Sequence, residues 1–217
     1  MTKAERLEMQ KEKLQIMLQH ERRLWASGRT YVAGVDEVGR GPLAGPVVAA
    51  AVILPQDFDV LGIDDSKKLS PKKREELFEV IKEKALAWAI GWQGPEVIDA
   101  VNILEATKKA MAEAVNGLSV RPQHVLIDGN FTVRALDLPQ TAIVKGDANS
   151  TSIAAASILA KVARDEFMEQ MDLKYPEYGF AIHKGYGTKR HYAAVDQFGL
   201  CPIHRKTFFR KYYEQKQ

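Results

Sequence analysis

Apolar residues recur at helical spacing in the first part of the chain. The charged stretch 3–26 predicts an amphipathic helix whose apolar face carries Leu7, Leu14, Leu18 and Trp25. Ser27 and Gly28 are expected to end this helix, and its opposite face, which includes Glu12 and Glu21, is expected to be solvated. We expect the helix to pack on the rest of the chain or on a partner protein.

Short apolar runs predict the strands of a sheet. Residues 32–37 and 47–54 are two such runs, and the glycine- and proline-rich loop 39–46 between them favours antiparallel pairing. A third strand is predicted over 86–92, where alternate positions place four large side chains on one face: Leu86, Trp88, Ile90 and Trp92.

Helical patterns alternate with the later strands. Helices are predicted from Ser70, with Pro71 in the first turn, and over 95–117 and 150–171. Between the last two, apolar runs that end before Asp128 and Asp147 predict two more strands. Strands that alternate with helices after an initial run of strands indicate an α/β protein with a mixed sheet flanked by helices.

Four acidic residues lie at or just after the ends of predicted strands: Asp36, Glu37, Asp128 and Asp147. Ligands of α/β sheets collect at the carboxyl ends of strands, so these acids are expected to converge. Two carboxylates about 4 Å apart repel by about 4 kcal/mol at an effective dielectric of about 20. Convergence therefore implies a hard divalent cation such as Mg²⁺ or Mn²⁺. The alternative is an Asp-Glu pair that only marks a solvated strand end.

The residues directly after the first acidic pair indicate a phosphate-containing ligand. Gly39 and Gly41 allow the backbone to approach a ligand closely, and Arg40 between them offers a planar donor for phosphate. Metal-binding acids beside such a loop indicate phosphodiester chemistry.

Length and composition restrict the class of protein. A chain of 217 residues suits one sizeable domain, with two small domains as the alternative. The single cysteine, Cys201, excludes an intramolecular disulfide and suits a reducing compartment. The first residues lack the apolar core of a signal peptide, and no apolar run approaches membrane-spanning length. We therefore expect a cytoplasmic protein.

The net charge of +3 is modest, but basic residues are concentrated near the end of the chain. Between His183 and Tyr213, seven Lys/Arg residues face one acid, Asp196, and seven aromatic residues are interleaved with them. Basic groups neutralise phosphates and aromatic rings stack on bases or sugars, so this segment predicts a nucleic-acid surface. The alternative is that the aromatic side chains form a core and the basic ones its solvated face.

Four motifs occur in a characteristic order: Gly34–Pro46, Asp65–Ser70, Lys145–Lys161 and His183–Thr188. Through them the chain, from about Tyr31 to Arg210, resembles ribonuclease HII, the type 2 ribonuclease H of bacteria. The resemblance implies a ribonuclease H-like α/β fold, a five-stranded mixed sheet flanked by helices, with a C-terminal helical segment. It also implies a division into an N-terminal helical extension, 1–28, and a catalytic domain, 29–217.

The resemblance assigns roles to the candidate site residues. The four acids Asp36, Glu37, Asp128 and Asp147 would be catalytic and would bind two divalent ions, Mg²⁺ or Mn²⁺. The substrate contacts would be Gly39, Arg40 and Gly41 on the ribose 2′-hydroxyl, Lys67 on a phosphate and Tyr186 on the following sugar. The 2′-hydroxyl is the group that distinguishes RNA from DNA. In a two-metal site one ion activates water and the other stabilises the leaving oxygen.

The implied activity is endonucleolytic cleavage of RNA in RNA–DNA hybrids. It includes duplex DNA with embedded ribonucleotides, cut on their 5′ side to leave 3′-hydroxyl and 5′-phosphate ends. This chemistry serves ribonucleotide removal and primer RNA processing in DNA replication and repair. We expect a monomer, and the N-terminal helix is compatible with a protein partner.

Two other interpretations remain open. Ribonuclease HIII is similar in fold, but it carries a Gly-Thr-Gly loop and an N-terminal binding domain in place of the short extension here. A nucleic-acid-binding module without catalysis would use the basic C-terminal segment alone, although four unpaired acids would then repel phosphate.

Several further polar residues have simpler explanations. Asp64 and Asp65 are expected to be turn and capping groups, and Asp165 and Glu166 to be solvated or paired with Lys161 and Arg164. His183 and His204 lack the partner spacing of a zinc site, and we consider them phosphate-side donors. Cys201 is expected to be a buried or incidental thiol.

Overall fold

The computed structural model describes residues 2–216. The strands are β1 Val32–Val38, β2 Val47–Ile53, β3 Ala87–Gln93, β4 His124–Asp128 and β5 Gln140–Ile143. They form a mixed sheet in the order β3-β2-β1-β4-β5. The five-stranded mixed sheet confirms the predicted fold class.

The pairing of the strands determines which ends share an edge. β2 pairs antiparallel with β1 and with β3, as the short loop 39–46 predicted for the first pair. β4 lies parallel to β1, and β5 lies parallel to β4. The carboxyl ends of β1, β3, β4 and β5 therefore lie at one edge of the sheet, which we call the carboxyl edge.

The helices are α1 Lys3–Met17, α2 Gln19–Ala26, α3 Pro71–Lys84, α4 Pro95–Val101, α5 Ile103–Asn116, α6 Gly146–Asn149, α7 Thr151–Lys174, α8 Phe180–His183, α9 Lys189–Phe198 and α10 Arg210–Glu214. Among them, none has the length and apolar character that a membrane crossing requires. Ser70 caps α3 by accepting a hydrogen bond from the Lys73 amide at 3.3 Å, as predicted.

Two predicted helices are interrupted in the structure. The stretch 3–26 divides at Leu18 into α1 and α2, and the stretch 95–117 divides at Asn102 into α4 and α5. Asn102 has a φ of 72°, and its side chain caps α5 by accepting hydrogen bonds from the Leu104 and Glu105 amides. A favourable cap thus begins a new helix where the apolar pattern continues unbroken.

Glycine permits the helices to approach both faces of the sheet closely. A Cβ on Gly34 in β1 would lie 2.2 Å from the carbonyl carbon of Ser152 in α7. On the other face, a Cβ on Gly91 in β3 would lie 2.1 Å from the carbonyl oxygen of Ala110 in α5. Because any side chain would overlap backbone there, both contacts require glycine.

The N-terminal helices pack on the domain. Leu14, Met17 and Leu18 are buried against it, whereas Leu7 is 45% exposed. The prediction that Glu21 is solvated is wrong, because its side chain is fully buried.

The C-terminal segment contributes aromatic side chains to a separate core cluster, which also includes Leu43, Ala44 and Met168. Tyr178, Phe180 and Phe209 are buried together, so part of its aromatic content is structural, as the alternative interpretation proposed. Arg205, one of the seven basic residues counted toward a nucleic-acid surface, is fully buried and unavailable to a phosphate.

Two buried guanidinium groups hold the loop 39–46. Arg164 donates to the carbonyl oxygens of Ala44, Pro46 and Lys184 at 3.0–3.1 Å. Arg205 donates to those of Gly39, Arg40, Pro42 and Gly45 at 2.6–3.1 Å. Within residues 2–216, no carboxylate forms an ion pair with either guanidinium. Burial lowers the pKa of Arg164 to about 10 and that of Arg205 to about 9.

Replacing Arg205 by methionine should destabilise the protein, since four buried carbonyl groups lose their donor. Each unsatisfied buried group costs about 1–3 kcal/mol, and we expect the free energy of unfolding to fall by about 3 kcal/mol or more. Urea titration measures this change. Lys206→Met, at the exposed neighbouring residue, is the matched control. Equal stability of the two variants would contradict the role given to Arg205.

Candidate active site

Three carboxylates meet at the carboxyl edge of the sheet. Asp36 and Glu37 lie near the end of β1, and Asp128 is the last residue of β4. One oxygen from each lies within 4.8 Å of the others. The parallel pairing of β1 with β4 produces this meeting, because the two strands end side by side.

Asp147 lies next to these three carboxylates but outside the 4.8 Å group. It belongs to α6, whose first residue, Gly146, donates its amide to Asp128 Oδ1 at 2.6 Å. Its charge contributes to the raised pKa of Asp36. The structure therefore brings all four predicted acids to one region, with three in direct proximity and the fourth at its border.

The pKa values of this group reflect burial and mutual repulsion. Burial raises the pKa of Asp36 well above its ordinary value, and the neighbouring Glu37 and Asp128 raise it further. Burial also raises the pKa of Glu37, although Arg40 opposes the shift. For Asp147, burial, Asp65 and Asp128 raise the pKa. Oxygen ligands that repel one another in this way fit a hard divalent cation, which would offset the repulsion.

Two basic side chains border the acids. Lys67 Nζ lies 3.8 Å from Asp147 Oδ2, and Arg40 Nη1 lies 3.5 Å from Glu37 Oε1. Burial lowers the pKa of Lys67, but Asp65 and Asp147 outweigh it, so the net shift is upward. The side chains of Lys67 and Arg40 are 79% and 45% exposed, so the cationic member of each pair faces the solvent although its carboxylate partner is largely buried. Both cations can therefore turn toward a bound phosphate.

The loop Gly39–Gly41 presents its backbone beside the acids. Gly39 has a φ of +92°, and a Cβ there would lie 2.3 Å from Arg164 Nε, so glycine is required. No residue within 2–216 accepts a hydrogen bond from the amides of Arg40 and Gly41. These two donors are free for a ligand.

Tyr186 lies against this loop. A Cβ on Gly41 would lie 3.6 Å from its ring, and the ring is 46% exposed. The carbonyl oxygen of Tyr186 accepts a hydrogen bond from His191 Nδ1 at 3.0 Å, which fixes the backbone beneath the ring. The structure thus places the predicted stacking residue next to the predicted 2′-hydroxyl loop.

Three histidines form a buried network behind Tyr186. Since His191 Nδ1 donates to a carbonyl, its Nε2 must accept from His204 Nε2, 2.9 Å away. His204 Nδ1 in turn accepts from the Cys201 amide at 2.9 Å. Burial lowers the pKa of both His191 and His204 to about 4, so both rings are neutral at physiological pH.

The prediction that His183 and His204 are phosphate-side donors is wrong. Both are buried, and His183 Nε2 donates to the carbonyl oxygen of Tyr178 at 2.8 Å. Every ring nitrogen in this network is used internally. His191 was missed because the three rings come from separate segments, and no sequence spacing indicates that they meet.

The simpler explanations for the other polar residues agree with the structure. Asp65 caps a 3-10 turn at Ser66–Lys68 by accepting a hydrogen bond from the Lys67 amide. Asp165 pairs with Lys161 at 2.7 Å, whereas Arg164 is buried and does not pair with it. Cys201 is a free, partly buried thiol.

A basic groove that sequence analysis missed also opens at the carboxyl edge, on the α5 face. It encloses about 890 Å³ and is lined by Gln93, Lys108, Lys109, Phe131 and Arg134, among others. The Phe131 ring lies against Gly129, the residue after Asp128, where a Cβ would be 3.3 Å from the ring. Lys108 pairs with Glu105 at 2.7 Å. The groove is formed where α5 lies next to the loop after β4. No local sequence motif indicates that these two segments lie side by side.

Comparison with known proteins agrees with this geometry. The family described as ribonuclease HII matches residues 33–215. The chain belongs to the ribonuclease HII family. A ribonuclease HII of Desulfitobacterium hafniense is 54% identical over 197 residues, 91% of this chain and 75% of that protein. A ribonuclease HII of Clostridioides difficile is 51% identical over 208 residues, 96% of this chain and 81% of that protein.

Solved structures extend the comparison. Ribonuclease H2 from Pyrococcus horikoshii superposes with a TM-score of 0.69 at 31% identity, covering 82% of this chain and 93% of that one. The ribonuclease HII in a PCNA complex from Archaeoglobus fulgidus gives 0.69 at 30%, covering 81% and 93%. The chain is therefore an enzyme, a divalent-metal-dependent ribonuclease H endonuclease that acts on RNA–DNA hybrids.

Asp36→Asn should stabilise the protein in a chelator at pH 8. The raised pKa means that the folded, metal-free protein binds a proton at Asp36 more tightly than the unfolded chain does. The protonated Asp36 side chain therefore stabilises the folded protein fully at pH values below its ordinary pKa of 3.8. This stabilisation is lost as the pH rises through the raised pKa that Asp36 has in the folded protein. Asparagine avoids this loss, and each kcal/mol regained raises the Tm by about 2–4 °C.

Calorimetry in EDTA at pH 8 and pH 5 measures the effect, which should shrink at the lower pH. Asp137→Asn, at an exposed residue before β5, should leave the Tm unchanged at both. A lower Tm for Asp36→Asn at pH 8 would show that repulsion among the acids does not strain the metal-free fold.

Proposed function

We propose that this chain cuts RNA on the 5′ side of a ribonucleotide, in hybrids and within duplex DNA, by a two-metal mechanism that leaves 3′-hydroxyl and 5′-phosphate ends. The meeting of Asp36, Glu37 and Asp128, with Asp147 beside them, carries this proposal. It occurs next to a glycine loop with two free amide donors.

The four acids would hold the divalent ions, Mg²⁺ or Mn²⁺. Bound ions of this kind activate a water nucleophile and stabilise the leaving oxygen of an in-line displacement. The side chains need only be held in position, and they are: Asp36 Oδ1 accepts the Glu37 amide at 2.7 Å, and Asp128 Oδ1 accepts the Gly146 amide. No nucleophilic side chain is required, so Cys201 has no role in the reaction.

Gly39, Arg40 and Gly41 would recognise the ribose 2′-hydroxyl. This group both donates and accepts hydrogen bonds. The loop offers the free amides of Arg40 and Gly41 as donors, and the Gly41 carbonyl oxygen, which Arg205 does not bind, as an acceptor. Tyr186 would stack on the next sugar, where an added hydroxyl would crowd the ring and so favour deoxyribose. The pairing of these two contacts supports specificity for an RNA-to-DNA junction.

Lys67 and Arg40 would bind the phosphates beside the scissile bond. Both are held near the acids by ion pairs whose cationic side chains are exposed and able to turn toward a phosphate. Such an enzyme would remove embedded ribonucleotides and process primer RNA during replication and repair. The boundary between an extension, 1–28, and a catalytic domain, 29–217, and a monomeric state belong to the same proposal.

The alternative specificity, that of ribonuclease HIII, receives less support. A ribonuclease HIII structure shares the fold, with a TM-score of 0.62, but is only 23% identical. The loop in this chain reads Gly39-Arg40-Gly41. Cleavage of a duplex with one embedded ribonucleotide separates the two, because a type 3 enzyme should leave it intact.

The test is incubation of a duplex containing one ribonucleotide with the enzyme and Mg²⁺ or Mn²⁺, followed by mapping of the product ends. Asp36→Asn and Asp147→Asn should each lower the rate by about a thousandfold or more, since the metal contribution amounts to several kcal/mol. Hybrid binding should persist in both variants, and Asp137→Asn should cleave normally. Unimpaired cleavage by Asp36→Asn, or product ends other than those named, would refute the proposal.

The basic groove beside Phe131 would guide the strand that is not cut. It lies at the carboxyl edge, close to the acids, and its Lys109 and Arg134 are exposed. Neither forms an ion pair with a carboxylate within residues 2–216. A duplex seated on the acids has a second phosphate backbone that needs cations at its side, and this groove supplies them.

Changing Lys109 and Arg134 together to glutamine should weaken hybrid binding severalfold. The slope of log affinity against log salt should decrease by about 0.9 for each phosphate that the variant no longer neutralises. Fluorescence anisotropy over a salt series in Ca²⁺, without turnover, measures both quantities. The matched control is Lys84→Gln with Arg121→Gln, since these residues precede β3 and β4 at the opposite edge of the sheet. Identical slopes for the two double variants would exclude the groove from the binding surface.

A further inference from the structure

Glu21 of α2 is a buried carboxyl that the proposed reaction does not use. It is fully buried, although it lies in a highly charged segment that the sequence predicts to be solvated on this side. We infer that α1 and α2 position Asp147 through Glu21, so that the N-terminal helices form part of the metal site. This inference rests on the proposed function, because the ligand role of Asp147 belongs to it.

Glu21 makes three short contacts with the junction between α6 and α7. Its Oε1 accepts hydrogen bonds from Ser150 Oγ at 2.6 Å, from Ser152 Oγ at 2.6 Å and from the Ser152 amide at 2.9 Å. Ser150 and Ser152 are fully buried as well. One carboxylate oxygen therefore organises the first turn of α7.

This junction determines where Asp147 lies. α6 is a single turn of four residues, Gly146–Asn149, and it starts after Lys145, which has a φ of 56°. A helix this short is not stable by itself, so its position depends on how its two ends are held. Gly146 holds one end through Asp128, and Ser150 holds the other through its amide, which donates to the Gly146 carbonyl at 2.8 Å.

A second contact joins the N-terminal helices to the segment that carries Lys67, a neighbour of Asp147. Lys13 Nζ of α1 lies 2.5 Å from Asp64 Oδ2. Asp64 precedes the 3-10 turn that presents Lys67, and Lys67 Nζ lies 3.8 Å from Asp147 Oδ2. The N-terminal helices thus contact both the α6–α7 junction that follows Asp147 and the segment that presents Lys67 to it.

Packing alone does not account for Glu21. Its Oε2 is buried without a hydrogen-bond partner, and burying an acidic group is costly, so an apolar side chain would serve a purely packing role better. What Glu21 adds is a fixed acceptor for the serines that follow Asp147. If Glu21 positions Asp147, docking of α2 must increase the affinity for the metal, and metal binding must favour the docked position of α2 by the same factor.

The test measures Mn²⁺ binding to the substrate-free protein by calorimetry. Glu21→Leu should weaken binding by about fivefold or more, within the range usual for coupled sites. Glu21→Gln should restore most of the affinity, because its amide oxygen can still accept from Ser150 and Ser152. The control is Glu12→Leu on the exposed face of α1, which should bind as the wild type does.

Hydrogen exchange on the wild-type protein provides a second measurement that needs no variant. Addition of Mn²⁺ should slow amide exchange across α2, and it should not do so in Asp147→Asn. Should Glu21→Leu fail to fold, this measurement decides alone, and unchanged exchange in α2 overturns the inference.

The two levels of failure are distinguishable. Wild-type affinity in Glu21→Leu, with Mn²⁺ binding that still depends on Asp147, would overturn only the positioning role of Glu21. If the wild type binds no Mn²⁺, or if Asp147→Asn binds it equally well, the proposed metal site fails and the inference fails with it.

Discussion

The glycine-rich loop 39–46 depends on two guanidinium groups buried beneath it. Arg164 and Arg205 have no carboxylate partner within the described residues, and together they donate to seven backbone carbonyl groups, six of them in the loop 39–46 or its ends. A loop with this much glycine and proline has no regular structure to satisfy its carbonyls, so side-chain donors replace a helix or a strand. Because the carbonyls turn inward toward Arg205, the amides of Arg40 and Gly41 remain available on the outer side.

The fold also holds the acidic side chains in fixed positions. β1 and β4 bring Asp36, Glu37 and Asp128 together because they are parallel neighbours, and burial together with the charge of Asp128 raises the pKa of Asp36 and Glu37. Such a cluster is unfavourable in the folded protein until a cation offsets the repulsion, which suits a site that must bind divalent ions. His191 and His204 behind Tyr186 are neutral, so the positive charge beside the acids comes from Lys67 and Arg40 instead.

Much of the architecture could be predicted from the sequence because its signals are local. The apolar runs predicted the strands, and Ser70 and Pro71 predicted the start of α3. The short loop 39–46 predicted the antiparallel pair β1–β2. All three predictions are confirmed. The fold and family were predicted from motifs spread along the chain, and both are confirmed. The interruption at Asn102 escaped because its cap depends on a backbone conformation that an unbroken apolar pattern conceals.

The sequence by itself determined the identity and order of the chemical groups: four acids near strand ends, a glycine loop and a tyrosine in the segment Lys184–Gly187. Only the tertiary structure decided which polar groups face the solvent. Glu21 and Arg205 look like surface charges in sequence, yet both are buried against partners more than a hundred residues away. The local hydrophobic pattern shows whether a segment is a helix or a strand and which of its faces is apolar. Whether a polar side chain is buried depends on which distant segments pack against it, and a short stretch of sequence does not contain that information.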